Sequence, residues 1–287
     1  PKEQNKSRQD AYDWLRGLAS VAVLCGHMDL FSEDYVRWSV IFFVMITMAI
    51  FAGEQRSLTF KKLCRRIAYL AFIYTSALFL MRWLWALKGV SANVAFMQLF
   101  IYAKTALLEN PYCGHLWYIA LYVQIVFFLF FFLENLRRWP PVWVFAVSFV
   151  ISQAMFFWTA SIDAFRTIFI PSWFLVMAVG FYLVPYLVKT VEAWTEKRAW
   201  RTSGMLLLLV IFYQNRSHYD WLTDNSHRLF FPILLVFLAV FYFLVELYFL
   251  FRLWVPTRVF TQAMIFIGRY TLIVYIVHVS FANLAST

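Results

Sequence analysis

Two ionisable residues inside one apolar run, Arg16 and His27, have the spacing to act together. They lie eleven positions apart in DWLRGLASVAVLCGH, residues 13–27. At about 100° per residue that separation returns to within roughly 20° of one helix face, about 16 Å along the axis. Asp13 and Ser20 fall within roughly 60° of the same line. The result is a polar stripe of Asp13, Arg16, Ser20 and His27, with Trp14, Leu18, Val21 and Cys25 projecting elsewhere. An imidazole is suited to general-base work near neutral pH and could take a proton from a substrate hydroxyl. Arg16 is a permanent cation whose planar fork suits phosphate or carboxylate, and Asp13, three residues earlier, can pair with it. Alone, the arginine reads as an interfacial residue with a snorkelling head group, and the histidine as a hydrogen-bonded core residue. Both on one stripe read as a functional site, because an ionisable group in a membrane helix is costly unless it faces an interior or a wet cavity.

The elements that hold this stripe are apolar throughout. Of the 287 residues 63% are hydrophobic, 22% aromatic and only 14% charged, against about 25% charged in a soluble domain. Apolar segments recur at roughly 14–31, 36–53, 67–87, 93–108, 115–133, 142–160, 168–188, 203–213, 229–251 and 261–283. This predicts an all-α fold, a polytopic transmembrane helix bundle of about ten segments in a single domain, 1–287. The alternating ten-residue pattern of an outer-membrane barrel is absent. The segment 93–108 carries Asn93, Gln98 and Lys104 and is the candidate for a re-entrant piece, and 203–213 is short. The head PKEQNKSRQD has no signal-peptide apolar core. Cys25, Cys64 and Cys113 are scattered, which predicts neither a disulfide framework nor a metal site.

The net charge of +10 comes largely from short loops, which is the mark of membrane orientation rather than of nucleic-acid binding. Basic residues cluster in the head, in 54–66, at Arg137 and Arg138, in 189–201, and at Arg252 and Arg258. If all ten segments cross, these clusters split between the two sides. If 93–108 does not cross, all of them fall on the cytoplasmic side, so the charge count favours nine crossings. His27, His115, His218, His227 and His278 then lie toward the outer face, with Arg16 and the 54–66 loop toward the inner one.

Four further stretches carry polar chemistry. In SLTFKKLCRRIAY, Lys61, Lys62, Arg65 and Arg66 form a basic face at the start of a helix, an inner-side anchor or a patch for a polyanionic cofactor. In ENPYCGHLWYIALYVQ a turn opens a helix with His115, Tyr118 and Tyr122 on one face and Trp117 and Gln124 on another. The loop 214–228 holds His218, Asp220, Asp224 and His227 without a metal-ligand spacing. In IGRYTLIVYIVH, Thr271, Tyr275 and His278 share a face and Arg269 points the opposite way. No phosphate-loop, dinucleotide, serine-hydrolase or zinc-protease pattern occurs.

Taken together, Arg16–x10–His27 within D-x-L-R-G-L, Phe42 to Val44 (FFV), FKKLCRRI, HLWYI (His115 to Ile119) and IGRYTLIVYIVH resemble, in order, the motifs of the acyltransferase family 3 membrane acyltransferases. The chain departs from the family pattern at Ile46-Thr47-Met48, at Ala68, and in lacking a Glu after H-L-W. The resemblance implies transfer of an acyl group, usually acetyl, from a coenzyme A thioester to a hydroxyl of a cell-surface glycan or lipid-linked saccharide. It also implies ten membrane helices with both ends cytoplasmic, at odds with the charge count.

The resulting expectation is an integral protein of the bacterial inner membrane, with acetyl-CoA or another acyl-CoA as co-substrate and no metal. The donor's phosphates would meet Lys61, Lys62, Arg65, Arg66 and Arg16 from the cytoplasm, and its pantetheine arm would run along the Asp13–His27 stripe. The acceptor would approach His115, Trp117, Tyr122, Tyr275 and His278, with His27, Arg16 and Asp13 at the chemistry. The alternative reading of the same intramembrane charges is a secondary transporter of a small anionic or polar solute.

Overall fold

The computed structural model describes residues 2–27, 38–53, 58–87, 117–158, 170–193, 204, 230–253, 257–271 and 273–274. Among these residues every regular element is a helix: α1 (Lys2–His27), α2 (Trp38–Gly53), α3 (Phe60–Leu87), α4 (Trp117–Arg138), α5 (Pro141–Trp158), α6 (Ile170–Ala193), α7 (Phe230–Leu253) and α8 (Arg258–Arg269). Eight of the apolar segments read from the sequence overlap described helices, the last of them, 261–283, only through Arg269. The segment 93–108, and all of 203–213 except Gly204, fall outside the described residues.

α1 is packed on nearly every side. Ala11, Trp14, Leu15 and Ala19 are fully buried, and Trp14 sits among the rings of Tyr248, Phe251 and Phe260 at centroid distances of 5.8, 6.4 and 6.4 Å. α2, apolar all round, is buried all round: Phe42, Val44, Met45 and Ile46 expose nothing. α5 has the reverse pattern. Its inward positions include Ser148 and Ser152, while Val142, Trp143, Val147 and Val150 are exposed. Small polar residues inward and large apolar residues outward are what a helix needs when its solvent is lipid. Ser152 Oγ donates to Pro171 O at 3.2 Å and accepts from Leu175 N–H at 3.0 Å, so it serves the otherwise unbonded groups at the start of α6.

α6 is long and apolar enough to cross a membrane, and Ser39–Gly53 and Pro141–Met155 are shorter apolar helices. It opens with a 3-10 turn, Ile170–Trp173, and widens to a π turn at Val179–Leu183. Gly180 lies in that turn against α2, where a Cβ would come within 2.5 Å of Met45 O. The absence of a side chain lets the two backbones touch.

Side-chain contacts fix which helix ends lie together. Arg8 of α1 pairs with Glu192 near the end of α6 at 2.8 Å, and Arg252 near the end of α7 donates to Ser7 Oγ. At the end of α2, the Phe51 ring lies under the Arg66 guanidinium of α3 at 4.3 Å, and the Phe51 carbonyl accepts from Arg137 of α4 at 3.3 Å. The start of α1 lies with the ends of α6 and α7, and the start of α3 with the ends of α2 and α4; Tyr182 of α6 donates to Leu136 O near the end of α4 and so links the two sets. The described members of the basic clusters collect there, as the charge count expects. α8 begins at that same end, because Thr257 just before it donates to Phe251 O at 2.6 Å, and it rises beside α1 to the level of Ser20.

Candidate active site

The seam between α1 and α8 is built on two glycines. A Cβ on Gly17 would meet Met264 O at 2.0 Å, and one on Gly268 would meet Asp13 O at 1.6 Å. Each helix presents its glycine to the other's backbone, so the two axes approach as closely as bare main chains allow. That approach brings the polar groups of α1 against those of α8. Ser20 Oγ donates to Arg16 O at 2.9 Å and lies 3.4 Å from Thr271 Oγ1, which donates to Gly268 O at 2.7 Å.

Asp13 is the hub of the seam. Its side chain is 6% exposed. Oδ2 accepts from Arg269 Nε at 3.3 Å, Oδ1 accepts from Gln9 Nε2 at 3.4 Å, and Arg16 Nη1 stands 4.0 Å from Oδ1. Arg269 also donates to Asp10 Oδ1 at 2.9 Å. Asp13 lies just before the apolar segment 14–31. Burial pushes its carboxyl above the ordinary range, and the charges of Arg16 and Arg269 draw it part of the way back.

One sequence expectation is corrected here. Arg269 does not point away from the stripe. α8 ends at Arg269, the Tyr270 N–H is shared between Phe266 O and Ile267 O, and from this last turn the long guanidinium arm curls back onto α1. Both Arg269 and Thr271 therefore face the first helix. α8 covers Asp13 and Gly17 at backbone contact, and Thr271 Oγ1 lies against Ser20 Oγ, so this part of the stripe is buried. Arg16 is 24% exposed and Arg269 54%, so both cations reach the accessible edge of this seam.

Of the expected cofactor-binding residues, Lys61 and Arg65 are exposed and Lys62 and Arg66 half-buried on the first turns of α3, at the end of the bundle where α1 starts. Tyr122 is half-buried on α4, and Gln124 on the same helix accepts from the Ile170 N–H at 3.3 Å. His27 is the final residue of α1. Its side chain and that of Trp117, together with His115, Tyr275 and His278, lie outside the described residues.

Two charged residues that the sequence reading did not assign to the site stand out. Arg269 is one; its signal was a lone arginine inside the apolar segment 261–283. Glu246 is the other, fully buried on α7 with Oε1 accepting from Tyr242 at 2.9 Å. An acid inside an apolar helix is itself a marker of function.

A helical bundle with a buried, charge-lined seam, one strongly basic end and an apolar outer face fits a membrane-associated protein. The family model of the acyltransferase 3 family, described as an acyltransferase domain, matches residues 9–287, and the chain belongs to that family. No curated protein matches the chain, and no solved structure does.

Proposed function

We propose that this protein is an integral-membrane O-acyltransferase that takes an acyl group, most simply acetyl, from acyl-CoA on the cytoplasmic side of a bacterial inner membrane. The acceptor is a hydroxyl of a cell-surface glycan or lipid-linked saccharide. Family membership supports acyl transfer as the class of reaction. The observation that carries the finer reading is the position of Arg16. It stands at the open edge of an ion-paired seam, on the helix that His27 terminates, and that helix starts at the basic end of the bundle. Coenzyme A is a polyanion, and Lys61, Lys62, Arg65 and Arg66 at that end supply the charge to attract it.

In this mechanism the imidazole of His27 takes the proton from the acceptor hydroxyl as its oxygen attacks the thioester carbonyl. The new C–O bond forms, the C–S bond breaks, and the proton passes to the departing thiolate. Arg16 binds a donor phosphate, held in place through Asp13 and, beyond it, Arg269. The acceptor approaches near His115, Trp117, Tyr122, Tyr275 and His278.

The membrane topology that fits this mechanism has nine crossings, with 93–108 not crossing. α1 and α8 then run outward from the same basic side, in agreement with their shared starting end, and α2, α4, α6 and α7 return to it.

The test is acyl transfer by purified, folded His27→Ala with acetyl-CoA and a saccharide acceptor. Loss of between about 100-fold and 10,000-fold in turnover is expected for a missing general base, with coenzyme A still raising the melting temperature. Wild-type turnover would sink the proposal, and the absence of any thermal shift with coenzyme A would favour the transporter reading.

A further inference from the structure

The run R-R-W-P-P joins α4 to α5 with two residues between the helices. Pro141 opens α5 with a ring already set for helix. The Trp139 N–H bonds Asn135 O at 2.8 Å, and the Trp143 and Val144 N–H groups both reach Pro140 O, at 3.1 and 3.3 Å. This turn gathers Arg137, Arg138, Trp139 and Trp143 at the basic end of the bundle. Arg137 is held by Glu134 at 2.8 Å and by the Phe51 carbonyl, whereas Arg138 is exposed, next in the chain to Trp139.

Immediately beside the turn, a cavity of about 610 Å³ lies between α4, α5 and α6. Phe132, Val147, Phe174 and Phe181 wall it, Ser148 lines it, and its inner limit is Met48 of α2. It opens on the outer surface, because Trp139, Trp143 and Val147 along its margin are 48%, 69% and 53% exposed. The size is that of a small-ligand site. The walls offer water almost nothing to bond, and left empty they forfeit their dispersion contacts. A flexible hydrocarbon chain suits such a space. The rim is suited to the other end of the same molecule: two tryptophans line it, as amphipathic rings do where they meet head groups, and the exposed Arg138 next to Trp139 in the chain offers a guanidinium for a phosphate.

We propose that this crevice binds one acyl chain of an anionic membrane phospholipid, with the head-group phosphate at Arg138. The bound chain abuts Met48, and α2 in turn packs on α1, so the lipid occupies a place one helix away from the candidate active site.

The test uses the full chain reconstituted in phosphatidylcholine vesicles. These carry a small fraction of phosphatidylglycerol, or of phosphatidylcholine, bearing a photoactivatable diazirine in its acyl tail, and adducts are mapped by mass spectrometry. Adducts are expected to concentrate on Phe132, Val147 and Ile151, several-fold more for the anionic lipid. Arg138→Glu is expected to remove that preference. Ser148→Trp is expected to abolish the adducts with both lipids; if that variant does not fold, Val147→Trp at the exposed margin fills the same space. Labelling spread evenly over Val142, Phe149 and Val150 on the outer face of α5 would overturn the site. So would equal labelling with both head groups, or displacement of the lipid by added palmitoyl-CoA, which would assign the crevice to the donor. The inference rests on the membrane reading: failure of the chain to float with vesicles overturns both, and uniform labelling overturns this site alone.

Discussion

Arg269 and Asp13, 256 positions apart in sequence, meet across the α1–α8 seam with Nε 3.3 Å from Oδ2. The carboxylate is buried and the guanidinium is half in solvent, so the two partners are not equivalent. Removing the arginine strands a buried charge, whereas neutralising the acid relieves one. Arg269→Ala is expected to cost about 1 kcal/mol, a figure already reduced for the solvent around the guanidinium. In a D13N background the same substitution is expected to cost far less. Thermal unfolding of the single and double variants in detergent measures the coupling, and equal costs in both backgrounds would show that the pair is not a coupled unit.

The pH dependence follows from the same burial. With its folded pKa raised, Asp13 takes up a proton more readily in the native protein than in the unfolded chain. The native state then binds more protons than the unfolded chain above the ordinary carboxylate value of about 4, so the stability from this group is complete below that value and is lost as pH rises through the folded pKa. Melting curves of wild type and Asp13→Asn across this range are expected to converge at low pH and to separate in favour of the variant as pH increases.

Gly17 and Gly268 close one contact between them. Adding a methyl to either forces the backbones apart, and Gly17→Ala or Gly268→Ala is expected to destabilise by about 1–3 kcal/mol or more. The double variant is expected to cost less than the two singles together, since one separation relieves both clashes. Gly53→Ala, with open space around its position, serves as the control and is expected to leave the melting temperature unchanged.

At the basic end, donor binding and folding separate by residue. Arg66 covers the Phe51 ring, so Arg66→Ala is expected to lower stability by about 0.5–1 kcal/mol. Lys61→Ala and Arg65→Ala, both at exposed positions, are expected to raise KM for acyl-CoA while leaving the melting temperature in place. Added salt is expected to reproduce part of their effect by screening. A rise in KM confined to Arg66→Ala would remove the exposed pair from the donor site.

Arg16→Lys keeps the charge and loses the planar fork. A fall of about tenfold in kcat/KM, corresponding to about 1.4 kcal/mol, is expected with the stability of α1 retained. Full activity of the lysine variant would mean that charge alone suffices at this position.

Much of this architecture was legible in the residues. Apolar length identified α2, α5 and α6, and among the described residues the short-loop Lys and Arg that the charge count singled out gather at one end. The stripe Asp13–Arg16–Ser20 was visible because a helix wheel is a local property. Its covering was not, because the fit of Gly17 and Gly268 depends on a neighbour some 250 positions away that no local period encodes. Arg269 was misread for a related reason. A wheel treats every side chain as a short radial spoke, but a guanidinium on a long stem beside a helix end can reach well around the axis. Glu246 was overlooked inside an apolar run whose composition otherwise advertised only burial.

The seam between α1 and α8 also has a consequence in time. Arg16 lies inside the apolar stretch of α1 and Asp13 at its edge, and the residue that pairs with Asp13 is made 256 positions later. Until then the groups proposed for chemistry face lipid or a provisional neighbour, where bare charge is costly. Completion of α8 therefore acts as a late assembly step. A nascent chain that stops before Gly268 has most of the described helices but leaves Asp13 uncovered.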